Sequence, residues 1–218
     1  NVSFVWSPKL AATCVLSITY ALIMSGKGHR SSVALLGATV MVVVCVMNQE
    51  AALKGVDWNT IGLLTGMMIL VSISGRSGMF QYVAVWSAKA AKAHPGGILL
   101  LLQLATAVLS ALLDNVTTVL LIVPVTLAIT KTLKVPPYPF LFAEIMASNI
   151  GGTATLIGDP PNIIIGSQVG LTFNEFIYHL SPVIAVILVV QTIMIHLLWG
   201  RELKASAKAQ AAIMRMRP

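Results

Sequence analysis

The sequence predicts an all-α polytopic membrane protein: about five spanning helices, a re-entrant helical hairpin, and one spanning helix broken at mid-membrane. Three observations predict it. Of the 218 residues, 57% are hydrophobic and only 10% charged, where a soluble domain carries roughly 25% charged. Mean hydropathy is +0.88, and apolar runs of near-spanning length recur along the whole chain. Two segments then interrupt apolar sequence with glycine, proline and carboxylate, which hydrocarbon tolerates only where protein or water lines the backbone.

Residues 1–75 are expected to form three transmembrane helices, over residues 10–25, 31–47 and 58–74. Each run is about 25 Å of helix, the short end of a spanning length. Residues 76–95 differ: Met79, Phe80, Val83, Trp86 and Ala90 recur at helical spacing beside Gln81, Lys89 and Lys92. That pattern predicts an amphipathic helix in the membrane interface. Residues 96–133 form two apolar arms joined only by Asp114 and Asn115. Residues 140–199 hold a span interrupted over residues 151–162, a polar link over 171–182, and a final span from Val183 to Trp199. Neither half of the interrupted span can cross about 30 Å of hydrocarbon alone. Residues 200–218 read as a basic cytoplasmic tail or linker.

The net charge of +7 is distributed in connections, which predicts a lipid bilayer as partner and no nucleic acid. With the two-armed unit returning to its starting side, twelve of the 14 Lys and Arg fall on one face: Lys27, Arg30, Arg76, Lys89, Lys92, Lys131, Lys134, Arg201, Lys204, Lys208, Arg215 and Arg217. Only Lys9 and Lys54 fall on the other. This bias places the basic side in the cytoplasm of a multi-pass protein of the cell membrane, with the N-terminus outside and the C-terminus inside. Cys14 and Cys45 lie in apolar runs and are expected as small hydrophobes, not a disulfide or metal pair. The chain opens at Asn1 without Met, and its first apolar run lacks a cleavage site; a fragment without signal peptide is expected.

Three carboxylates lie in apolar surroundings: Asp114, Glu144 and Asp159. A charged carboxylate at the bilayer centre costs about 2.5–3.5 kcal/mol on insertion scales, so each needs a cavity, a cation or a proton. Asp114-Asn115 fits either an exposed turn between two complete spans or the tip of a re-entrant hairpin. Thr106, Ser110, Thr117, Thr118 and Thr126 give both arms a polar face. In the 151–162 segment, Gly151 and Gly152 free the backbone, Thr153 and Thr155 offer hydroxyls, and Asp159 stands ready to cap a helix opening at Pro160. Glu144, about one turn from the cytoplasmic end of its half-helix, fits interfacial anchoring or packing, with proton handling as the alternative. No nucleophile triad, phosphate loop or resident cofactor set is present in the sequence, which argues against an enzyme.

The run Leu112-Leu113-Asp114-Asn115-Val116-Thr117-Thr118, followed by Ser148-Asn149-Ile150-Gly151-Gly152-Thr153-Ala154-Thr155-Leu156-Ile157-Gly158-Asp159-Pro160-Pro161-Asn162, resembles the ion-transporter superfamily. That group includes citrate-transporter-like permeases, divalent anion–sodium symporters, arsenite efflux permeases and NhaD-type sodium–proton antiporters. With Thr65-Gly66-Met67-Met68-Ile69-Leu70-Val71, the likeness is to the subgroup that contains the melanosomal P protein. The resemblance implies two inverted repeats, each with a re-entrant hairpin and a broken helix, of which this chain holds the first. It also implies a homodimer, and an ion or substrate site at Asp114, Asn115, Thr117, Thr118, Asn149, Gly151, Gly152, Thr153, Thr155, Asp159 and Asn162. A sodium ion is expected near Asn115, Gly151 and Thr155.

The expected function is secondary transport of a small ion, driven by a proton or sodium gradient, with Asp114, Asp159 and Glu144 as proton-coupling candidates. Cation–proton antiport is favoured because Asp114 and Asp159 replace neutral hydroxyls of the anion symporters. Two charges about 6 Å apart repel by roughly 2.8 kcal/mol at an effective dielectric of 20, which a proton or cation would relieve. Arsenite efflux and citrate or carboxylate transport are the alternatives, and a non-transporting membrane scaffold is the alternative from another class.

Overall fold

The computed structural model describes residues 8–26, 28–200 and 203–216. Asn1, Lys27, Arg201 and Arg217, used in reading the termini and the charge bias, lie outside the described residues. Among the described residues there are eleven helices and no strand, as the hydropathy pattern predicts. Residues 1–58 and 59–218 form two separate compact units.

In the first unit, α1 (Pro8–Met24) and α2 (Arg30–Val43) pack together. Gly37 permits this approach: a Cβ there would stand 3.2 Å from Thr19 Cβ. Neither helix buries a residue fully. The second predicted run is shorter than expected, since α2 ends at Val43 and Cys45 turns the chain at φ 57°. Cys14 and Cys45 are both free and exposed. The following link, expected as irregular, contains α3 (Gln49–Lys54), capped by the Asn48 side chain and carrying a Glu50–Lys54 ion pair at 3.1 Å.

The second unit opens with α4 (Trp58–Arg76), followed by α5 (Met79–Ala90), α6 (Pro95–Leu112) and α7 (Asn115–Leu133). Then come α8 (Tyr138–Gly152), α9 (Pro160–Val169), α10 (Phe173–Trp199) and α11 (Ala207–Met214). Four helices, α4, α6, α7 and α10, are long and apolar enough to cross a membrane. The core gathers Ile98, Leu102, Ile129, Leu133, Phe140 and Ile195 from α6, α7, α8 and α10.

Four boundaries depart from expectation. The α5 face turned inward is Phe80, Ala84, Val85 and Ala88, packed on α6 and α7, while Met79 and Trp86 stay exposed. The helical break spans residues 153–159 rather than 151–162, because both glycines remain in the last turn of α8. The polar link before the last span is itself helix: the Thr172–Glu175 capping box starts α10 at Phe173, and the helix runs on through Pro182. A proline removes one backbone hydrogen bond, and 27 residues of otherwise continuous helix absorb that loss. The basic tail folds back, with Leu203, Ala209 and Ile213 buried and α11 against α5 and α7.

The helices of this unit run in a readable order. Tyr138 and Phe142, at the start of α8, lie against Trp199 at the end of α10, with ring centroids 5.8 and 5.5 Å away. At the other end Ser181 Oγ donates to Ala154 O in the break at 3.2 Å. α6 also starts beside the end of α10, since Gly96 faces His196 and Gln103 donates to Thr192 at 2.6 Å. So α6 and α8 rise together, antiparallel to α10, and the α6–α7 tip reaches the level of the break. The eight residues from Ser181 back to Phe173 carry α10 about 12 Å beyond that level.

α6 and α8 meet most closely at Gly151, where a Cβ would stand 2.6 Å from Ala107 Cα. Gly151→Ala should therefore force the helices apart and lower stability by about 1–3 kcal/mol, read as a lower thermal midpoint in detergent. Gly66→Ala, where nothing lies within 4 Å of an added Cβ, should leave the midpoint unchanged or raise it.

Candidate functional site

The chain leaves helical geometry twice at one level of the bundle. At the hairpin tip, Leu113 and Asp114 adopt extended backbone, and the Asp114 side chain caps α7. Its Oδ2 accepts from Thr117 N at 2.9 Å and from Thr117 Oγ1 at 2.7 Å. Thr118 Oγ1 donates to the Asp114 carbonyl at 2.9 Å. One carboxylate oxygen of Asp114 is therefore held by the start of α7, where an anion also meets the positive end of the helix dipole.

The second departure is the break between α8 and α9. Three hydrogen bonds tie the break and the last turns of α8 to the hairpin. Thr155 Oγ1 donates to Ala111 O, Ser110 Oγ donates to Ser148 O at 2.7 Å, and Asn115 Nδ2 donates to Asn149 Oδ1 at 3.2 Å. Asn162, the second residue after Pro160, turns back and donates Nδ2 to Thr155 O at 3.0 Å and Gly152 O at 3.3 Å. Thr155 Oγ1 in turn accepts from Gly158 N at 3.2 Å. The backbone crosses itself closely here: a Cβ on Gly158 would stand 2.7 Å from Gly152 Cα. Only glycine allows that crossing.

The structure thus brings Asp114, Asn115, Asn149, Gly151, Gly152, Thr153, Thr155, Asp159 and Asn162 into one neighbourhood, with Thr117 and Thr118 holding the tip. Asp159 occupies the N-cap position of α9, with Pro160 in the first turn, but its side chain makes no cap hydrogen bond. Its carboxylate leans over Gly152, 3.1 Å from where a Cβ would lie. Its nearest hydroxyl, Thr153 Oγ1 at 3.5 Å, has one proton and lies at 2.8 Å from Asn149 O. Asp159 is half-buried, lies within electrostatic range of Asp114, and makes no ion pair among the described residues. It is the uncommitted charge of the site.

Asn115, Ser148 and Asn149 line a cleft of about 230 Å³ with Val116, Val119, Leu120 and Ile145. Asn115 uses its amide N–H on Asn149, so its carbonyl oxygen is left to accept donors or a cation. Gly151 O already accepts from Ala154 N at 2.9 Å, and the Thr155 hydroxyl is engaged on both sides. Each retains a single lone pair for a further partner. Among the described residues no group of three His, Cys, Asp or Glu gathers; an ion here would meet hard oxygen donors, which suit sodium better than a transition metal.

Glu144 packs inside the bundle rather than facing outward. It is 1% exposed and receives a hydrogen bond from Thr126 Oγ1 at 2.5 Å. The sequence had flagged Thr126 and Ser110 only as members of a polar face. Gln103 and Gln191 were missed altogether, though both are buried. A lone glutamine inside each apolar run was the available signal.

Asn162→Ala should leave two buried carbonyls without their donor, which costs about 1–3 kcal/mol, read as a lowered thermal midpoint. Asn162→Asp should cost more, because it sets a carboxylate against the same carbonyls.

The citrate transporter family profile matches residues 20–216. A 46 kDa membrane protein of Mycobacterium leprae is 46% identical over 207 residues, 93% of this chain and 48% of that protein. An uncharacterized transporter of Mycobacterium tuberculosis is 50% identical over 184 residues, 83% of this chain and 43% of its own length. The human P protein is 40% identical over 203 residues, 88% of this chain and 24% of its own length. The chain spans about half the length of the mycobacterial relatives it matches.

Proposed function

The chain belongs to the citrate transporter family, and we propose that it supplies one half of a secondary transporter that exchanges a small cation for protons by alternating access. One observation carries this reading: the hairpin tip and the helix break converge on a carboxylate, Asp159, that no cation or cap among the described residues neutralises. The Asp114 charge beside it adds to the demand for a positive partner. Sodium, held by Asp159 and the free oxygens near Asn115, Gly151 and Thr155, meets that demand. The tip lies about 12 Å short of the far end of α10, which supports a re-entrant hairpin over two complete spans. The protein's place is a cytoplasmic membrane, with the α5–α6 and α7–α8 connections inside, following the Lys and Arg bias.

The complementary half of the site comes, by the resemblance to inverted-repeat transporters, from a second repeat, and the whole protein pairs as a homodimer. The family's name favours a second reading, carriage of a carboxylate such as citrate. Two aspartates oppose a free dianion at the tip, so this reading requires a cation to bind first.

Ion flux by the full-length protein in proteoliposomes separates these readings. An imposed pH gradient should drive sodium uptake, and Asp114→Asn, which removes the second negative charge beside Asp159, should reduce that coupled flux. Asparagine is itself a good N-cap, so folding and insertion should survive. Asp159→Asn should weaken sodium affinity. Saturable citrate uptake, unchanged by either substitution and independent of sodium, would overturn the proposal.

A further inference from the structure

We propose that Glu144, and not either tip aspartate, is the group that takes up and releases the transported proton. The assignment rests on the cation–proton reading above and gives its two ions separate places. Glu144 lies on α8 nine residues before Thr153, about 14 Å along the helix from the break.

Glu144 has one partner. Thr126 of α7 donates to Oε1, and Oε2 has no hydrogen-bond partner. α6 carries no titratable residue between Pro95 and Leu112. On α7, Lys131 is exposed, and Asp114 is engaged at the other end with Thr117. On α10, Glu175, His179 and His196 are exposed, and the buried positions are Phe176, Gln191 and Ile195. Tyr138, the other titratable side chain of α8, is exposed as well. Among the described residues no cation therefore faces Glu144, and a bare carboxylate in such surroundings has to be neutralised.

A metal ion would need several oxygens around it. Among the described residues the carboxylate's one hydrogen-bond partner is a hydroxyl whose proton already points at it. A proton needs no such shell.

Two glutamines extend the argument. Gln191 Nε2 donates to Ala143 O at 3.1 Å, which fixes the amide's orientation and leaves Gln191 Oε1 without a donor. Gln103 Nε2 donates to Thr192 Oγ1 at 2.6 Å, and that hydroxyl spends its own proton on Leu188 O at 2.7 Å. Gln103 Oε1 is again left without a donor. The bundle of α6, α7, α8 and α10 thus holds three buried acceptor oxygens and no donor for any of them. A proton arriving on Glu144 neutralises the carboxylate and turns one of these three acceptors into a donor. Because Glu144 and the break share α8, its protonation and sodium binding act on one rigid element.

The test uses the full-length protein in proteoliposomes, with sodium as the probe ion. Wild type should move protons against sodium. Glu144→Gln keeps the shape and the contact with Thr126, and should lose pH-gradient-driven sodium accumulation while sodium–sodium exchange and sodium affinity persist. Glu144→Gln with undiminished proton-coupled flux would overturn the assignment of the proton to Glu144 and leave the antiport reading standing. Sodium flux by wild type with no proton movement would overturn both. Dicyclohexylcarbodiimide, which modifies protonated carboxyls in apolar surroundings, gives a readout on wild type that does not depend on a variant folding. Modification of Glu144 should increase on acidification and slow with sodium. A Glu144 that stays unmodified, or reacts without regard to pH and sodium, would also overturn the assignment.

Discussion

A backbone that leaves the helix at membrane depth must find protein partners for the hydrogen bonds it gives up, and the arrangement of the second unit follows from that constraint. The break after α8 frees carbonyls at the end of one helix and N–H groups at the start of the next. The carbonyls are met by Asn162 from the first turn of α9 and by Ser181 from α10, and the Gly158 N–H by the Thr155 hydroxyl. The hairpin has matching needs at its own tip. Ala111 O is answered by Thr155, and the first N–H groups of α7 are answered by Asp114. Each irregular segment satisfies part of the other, so neither is a free-standing element.

The same constraint explains the placement of small residues. Ser110 and Thr155 can bond across the contact only if α6 and α8 approach to backbone distance, and Gly151 against Ala107 permits that approach. Gly158 lets the break fold over Gly152. What the constraint does not consume is equally informative. Asp114 is used as a cap, whereas Asp159 holds a cap position without making the bond. A residue in that state retains its charge for something outside the chain's own hydrogen bonding, which is how the two aspartates come to differ.

Much of this was legible in the sequence because apolar run length and Gly-Pro punctuation report directly on what hydrocarbon tolerates. The α6–α7 turn at Asp114-Asn115 and the opening of α9 at Pro160 lie where the residues place them. The errors are of one kind: local composition was allowed to outweigh capping and packing. The segment before Pro182 reads as a polar link, but its Thr172–Glu175 box starts a helix there. Gly151 and Gly152 read as part of the interruption, but both stay helical, with α6 packed on Gly151. Glu144 reads as interfacial or packed by its distance from the helix end, and the choice between them depends on α7, with which it shares no local pattern. Nothing in the sequence distinguishes the role of Asp114 from that of Asp159, since the difference lies in where two hydroxyls, those of Thr117 and Thr153, send their protons.

The central claim is that the hairpin tip ends inside the protein, against the helix break, and forms an ion site there. A single cysteine at position 115, in full-length protein lacking Cys14 and Cys45, tests it most directly through labelling by membrane-impermeant thiol reagents. The account predicts weak labelling from either side of the membrane, with a rate that changes when sodium is added. Strong labelling from outside at a rate indifferent to sodium would contradict it, because a turn between two complete spans would behave in that way.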